Sequence, residues 1–120
     1  MTPSTSDQLL ALEAVADVID HVTEIWVAPF HAGESYVRAG LVRIPESQAL
    51  DIRIGQAMRW LTAWCDGDTC RWWWVSYALN CGDAVAWAVT THDEGCERIF
   101  AGPSLAHALA KAIQELQETP

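Results

Sequence analysis

The sequence predicts an α+β fold: a small antiparallel or mixed sheet covered by helices on both faces, in the order α-β-β-α-β-β-(β)-α. Three observations lead there. The runs Arg71-Trp72-Trp73-Trp74-Val75-Ser76-Tyr77-Ala78-Leu79 and Ala84-Val85-Ala86-Trp87-Ala88-Val89 flank Asn80-Cys81-Gly82-Asp83, the pattern of a β-hairpin. Both runs are apolar at successive positions, whereas a sheet with one wet face alternates, so both faces call for cover. Segments with helical periodicity stand on either side of the hairpin to supply it.

Taken in order, Ser6 is a suitable cap for a first helix from about Asp7. Leu12, Val15, Ile19, Val22 and Trp26 recur on one side of it at helical spacing. Thr23–Ala28 also suits a strand, and His31-Ala32-Gly33-Glu34-Ser35 is turn-like before β-prone Tyr36–Ile44. A hairpin closed there sets Ile25 and Val27 across from Leu41 and Ala39. Pro45 stops that strand and Ser47 can cap a second helix with a stripe of Leu50, Ile54, Met58 (or Ala57), Leu61 and Trp64. Asp66-Gly67-Asp68 ends it, and the Trp-rich hairpin follows as the centre of the sheet. With its turn at Asn80–Asp83, Trp73, Val75, Tyr77 and Leu79 lie opposite Ala84, Ala86 and Ala88. Trp72 and Trp74 then share the other face with Trp87 and Val89. After polar residues 92–97, a short strand Arg98–Ala101 leads to Gly102-Pro103-Ser104, which opens a last helix. Its stripe, Leu105, Ala108, Leu109, Ala112, Ile113 and Leu116, is the cleanest in the chain. The whole of 1–120 reads as one domain, with 1–6 and 118–120 flexible.

Sixteen acidic residues against seven basic ones give a net charge of −9 and a pI near 4.6. That balance argues against direct nucleic-acid binding, which needs clustered Lys and Arg. It fits a protein partner that is basic or handles nucleic acid, and leaves homo-oligomers open. The longest apolar stretch is too short for a membrane span, and the first residues lack the basic start of an export signal. A cytoplasmic protein with reduced thiols is expected.

Candidate sites are few. Cys65, Cys70, His92 and Cys96 fall at the open end of the hairpin and have the ligand types of a tetrahedral zinc site. Cys-x4-Cys is loose spacing for one, and a disulfide or plain reduced thiols are the other readings, with plain thiols, and so no cofactor, the default. Seven tryptophans exceed what a core of this size needs, so Trp60 and Trp72 are candidate exposed anchors for a partner. Glu13, Asp17, Asp20 and Glu24 recur at i, i+4, i+7 and i+11 as a helix face of one sign. It is either a solvated face or a surface that meets a basic groove. No nucleophile-elbow, zinc-protease or phosphate-loop motif is present, and the four histidines fall in separate elements, so no enzyme is expected.

The segment from Ile54 to Trp64, the Trp hairpin and Gly102-Pro103-Ser104-Leu105-Ala106-His107-Ala108 together resemble small phage and prophage proteins of the α-β-α "ABA sandwich" family. The resemblance covers about 47–118 and lies in the element order and one turn; Thr23–Ile44 has no counterpart. The family has no catalytic motif to carry over. It implies a phage-type accessory protein in the cytoplasm of a bacterial host, acting by occupying a macromolecular partner, such as a host nucleic-acid-handling or defence system. The rival expectation is a stand-alone α+β domain with a structural zinc or thiol site and no inhibitory role.

Overall fold

The computed structural model of the chain describes residues 3–67, 70–81 and 84–118. The elements are α1 (Thr5–Glu13), α2 (Ala16–Ile19), a 3-10 turn (Asp20–Val22), β1 (Tyr36–Ala39), β2 (Val42–Pro45), α3 (Glu46–Asp66), β3 (Arg71–Cys81), β4 (Ala84–Asp93), β5 (Cys96–Gly102) and α4 (Leu105–Glu118). This is the predicted α+β class, with a two-stranded antiparallel sheet β1-β2 and a three-stranded antiparallel sheet β3-β4-β5. No helix among the described residues is long and apolar enough to cross a membrane.

The first helix starts earlier than expected. Ser4, not Ser6, caps it by accepting a hydrogen bond from the Asp7 backbone N–H at 3.1 Å, and Ser6 donates instead to Glu46 at 2.8 Å. Thr5 and Ser6 belong to α1 and Glu118 to α4; residues 1, 2, 119 and 120 lie outside the described residues. Pro45 precedes α3 directly and no side chain caps it, so Ser47 sits exposed within the helix.

Thr23–Ala28 is not a strand. Its one ladder contact is an isolated bridge from Val27 to Ala39, a pairing the sequence anticipated. The hairpin lies within 36–45 and closes on Gly40-Leu41, where Gly40 takes the positive φ of 61° that a two-residue hairpin turn requires. Leu41 stands exposed at the tip instead of pairing with Ile25. Side chains of α3 take the carbonyls of Ile25 and Val27, as described below, and around the bridge the Ala28 N–H donates to the Arg38 carbonyl at 2.9 Å and the Gly40 N–H to the Trp26 carbonyl at 2.8 Å, so this segment is held without a continuous ladder.

Register decides the three-stranded sheet. Trp73 pairs with Thr91, Val75 with Val89 and Tyr77 with Trp87, with an irregularity between Tyr77 and Leu79. That is a one-residue displacement from the expected pairing, and such a slip exchanges faces. Trp87 and Val89 therefore share the face of Trp73 and Val75, not that of Trp72 and Trp74. Strand order β3-β4-β5 makes β4 central and leaves β3 at an edge, so the hairpin is not the middle of the sheet. The tip, Gly82-Asp83, lies outside the described residues. The next turn, Glu94-Gly95, has φ of 50° and 84° at its two positions, matching a type I′ hairpin; it links β4 to a β5 longer than the expected 98–101.

Both long helices pack on the same face. Val89 and Phe100 are buried and Trp73, Val75 and Trp87 partly so, against Ala57, Leu61, Ala108, Leu109, Ala112 and Ile113. The Trp73 indole N–H donates to Thr62 on α3 at 3.4 Å. At Gly102 a β-carbon would sit 2.8 Å from the Ala108 backbone nitrogen, so only glycine lets β5 approach α4 this closely. The expected helices on both faces are thus a correction: α1 packs on α3 and α4, not on the sheet's second face.

Leu109 is 0% exposed at the centre of this packing. Leu109→Asp should leave an unpaired buried charge and abolish folding, read as loss of the cooperative thermal transition in circular dichroism. A folded, soluble variant would place α4 at the periphery.

Candidate interaction face

The second face of the three-stranded sheet is built from three rows across the strands: Trp72–His92–Glu97, Trp74–Thr90–Ile99 and Ser76–Ala88–Ala101. Alternation along each strand directs these side chains away from α3 and α4. Trp72 is 47% exposed, Trp74 38% and Ile99 59%, while the small Ala88 and Thr90 are buried in the central strand between their neighbours. The Trp72 ring stacks on His92 with centroids 3.7 Å apart and planes 5° from parallel. His92 Nδ1 lies 3.1 Å from the Cys70 carbonyl oxygen, which fixes the imidazole over the strand. The result is a rigid aromatic platform with Glu97 at its edge. No Lys or Arg is among these nine residues.

The proposed anchors therefore divide. Trp72 is exposed as expected, but Trp60 is packed against the core. Trp74 and Ile99 were missed because a helix was expected over this face as well, although Trp74 was already placed beside Trp72.

The acidic helix face is also divided. The helix breaks at Ala14-Val15, which rotates Glu13 and Asp20 toward α3 and leaves Asp17 and Glu24 exposed. Glu13 and Asp20 flank Arg53, whose side chain is fully buried. Arg53 donates to Asp20, to Gln56 Oε1 at 3.0 Å and to the Val27 carbonyl at 3.1 Å, with Glu13 Oε2 3.7 Å away. The Gln56 amide in turn donates to Thr23 Oγ1 at 2.9 Å and to the Ile25 carbonyl at 2.7 Å. This network fastens 23–28 to α3. Arg53 and Gln56 fall on the same helix stripe as Ala49, Leu50, Ala57 and Leu61, so two polar residues on an apolar stripe were the available signal.

Burial pushes the Glu13 carboxyl above its ordinary value, opposed chiefly by the Arg53 guanidinium. A carboxyl raised in the folded state favours folding fully below its unfolded value and loses that contribution as pH rises through the folded one. Removing Arg53 removes the opposing pull and should raise the Glu13 pKa further. Arg53→Met should therefore cost about 3–5 kcal/mol at neutral pH, and less as pH falls toward 4.5, the ordinary value. Denaturant titrations at several pH values check this; a cost that grows on acidification would contradict it.

The four proposed metal ligands are not brought to one point. His92 belongs to the open face, stacked on Trp72, whereas Cys96 pairs with Asp93 on the helix-covered face. There Asp93 meets Arg71 at 3.3 Å, and Arg71 lies over the Trp64 ring of α3. Cys65 and Cys96 are free thiols. Burial, with Asp66, pushes the Cys65 thiol up, opposed by Arg71, which disfavours the thiolate a metal needs. Among the described residues no group of three or more His, Cys, Asp or Glu is arranged to hold a metal ion. Elemental analysis of protein purified without chelator should find zinc below about a tenth of an equivalent and a melting transition unmoved by chelator; structural zinc contributes folding free energy directly, so stoichiometric zinc whose removal destabilises would contradict this.

His107 has a partner that was missed. Ser104 Oγ accepts from the His107 backbone N–H at 3.2 Å and lies 2.6 Å from its Nδ1, a cap at the start of α4.

Comparison with protein-family models, with curated proteins and with solved structures finds no match to this chain.

Proposed function

We propose that this chain is a non-enzymatic accessory protein of phage or prophage type that acts by occupying a basic protein partner of the bacterial host, in the cytoplasm. The observation that carries this reading is the uncovered row Trp72–His92–Glu97 beside Trp74 and Ile99. Aromatic side chains held rigid and partly solvated are the usual anchors of a protein interface. A stacked Trp–His pair next to a carboxylate suits an arginine in particular, whose guanidinium lies on aromatic rings and pairs with carboxylates. The net charge of −9 steers such a partner toward the protein. Direct nucleic-acid binding is disfavoured, since a stacking platform for single strands works with a positively charged groove and none of the nine residues of this face is Lys or Arg. The resemblance of 47–118 to phage ABA-sandwich proteins supports the biological setting, and a nucleic-acid-handling or defence protein is the kind of host target whose basic groove fits.

The test is affinity capture from bacterial lysate with wild type and with Trp72→Ala/Trp74→Ala. Both positions are solvent-facing, so the variant should stay folded. A basic protein should be retained by wild type, lost with the double variant, and weakened by rising salt as exposed charges are screened. A variant that captures the same proteins as wild type would remove this face from the account.

A further inference from the structure

A second surface, on α3, has a symmetry of its own. Gln48, Asp51, Gly55, Arg59 and Thr62 are all exposed and follow one another at three or four residues, so they form one face of the helix. Gly55 lies near the middle of this 21-residue helix, where glycine is costly because it surrenders more backbone freedom than any other residue. Nothing among the described residues explains it. A β-carbon there would meet no atom within 4 Å, so neither packing nor backbone conformation requires glycine. Gly55 instead forms the floor of a cleft of about 660 Å³, between α3 and the wall Thr23–Ile25. Ile25 on that wall is exposed. Asp51 and Arg59, four residues before and four after Gly55, make no ion pair with any described residue.

The face reads the same from either direction. Turned end for end about Gly55, Asp51 falls on Arg59, Gln48 on Thr62 and Gly55 on itself. A twofold interface places the same patch on both partners, each residue meeting its counterpart reciprocally. We propose that a second copy of this chain docks here, its α3 antiparallel to the first and crossing at Gly55. The bare backbone at the crossing allows the helix axes to approach at the short end of the usual 8–10 Å spacing. Two reciprocal Asp51–Arg59 pairs then form across the interface. Arg59 supplies the cation that association of two chains of charge −9 requires. This face is separate from the aromatic sheet face, and the proposal stands without it.

Sedimentation equilibrium of the full chain over a dilution series tests the idea. Wild type should form a reversible dimer of twice 13.3 kDa. Asp51→Arg and Arg59→Asp should each weaken it at least about tenfold by setting like charges against each other, and the double variant should restore it by re-forming the pairs with the signs exchanged. Gly55→Leu should abolish the dimer while leaving the melting temperature of the dilute monomer unchanged or higher, because glycine is the poorer helix former. A chain that is monomeric at every concentration overturns the proposal. So does a dimer indifferent to the single reversals or to Gly55→Leu, or a double reversal no better than the singles.

Discussion

The register of β3 against β4 is the constraint on which the other surfaces depend. Three consecutive tryptophans cannot all face one way in a strand, and the pairing of Val75 with Val89 settles that Trp73 turns in while Trp72 and Trp74 turn out. On the inner side Val75, Trp87, Val89 and Phe100 then pack into the core beneath α3 and α4, with Gly102 giving the clearance α4 needs, while Tyr77 farther along β3 stays exposed. The outer side keeps its aromatic residues with no helix above them. Leaving Trp72 and Trp74 partly in water forgoes on the order of 2 kcal/mol each in burial, free energy that remains for an interface.

A second constraint is electrostatic. A guanidinium at zero exposure is tolerable only with partners close by, because an unpaired buried charge costs several kcal/mol. Asp20, Glu13, Gln56 and the Val27 carbonyl are those partners, and satisfying them fixes the break between α1 and α2 and the path of 23–28. The same geometry withdraws two of the four acidic residues of the first helical segment from the surface. In the proposed function, attraction for a basic partner therefore rests on the overall charge of −9 rather than on one helix stripe.

Much of the architecture was legible. The stripe of α4, its opening at Gly102-Pro103-Ser104, the Trp hairpin and the order of elements all follow from periodicity and turn chemistry, which act locally. What was not legible depends on contacts between distant segments. The irregularity between Tyr77 and Leu79 leaves one residue of β3 unpaired and so exchanges the faces of β4 against the rest of β3, and nothing in Tyr77-Ala78-Leu79 marks it in advance. Arg53 and Gln56 were passed over because Ile54 and Met58 offer an equally regular apolar stripe. Thr23–Ala28 has strand-like composition, yet the carbonyls of Ile25 and Val27 go to α3 side chains, while the Trp26 carbonyl and the Ala28 N–H pair with β1 and its turn. Of the interaction face, Trp72 was foreseen and Trp74 and Ile99 were not. The Cys65, Cys70, His92 and Cys96 grouping rested on sequence position at the hairpin end and was blind to which face of the sheet His92 and Cys96 take.

The central claim is that this sheet has one covered and one open aromatic face. Oxidative footprinting of the seven tryptophans, read by mass spectrometry on the native protein, tests it most directly. Trp72, Trp74 and the exposed Trp26 should react rapidly, while Trp60, Trp64, Trp73 and Trp87 should react several-fold more slowly until the protein is denatured. Equal labelling of Trp72 and Trp73, or protection of Trp72 and Trp74 in the monomeric protein, would contradict the two-faced sheet and the function drawn from it.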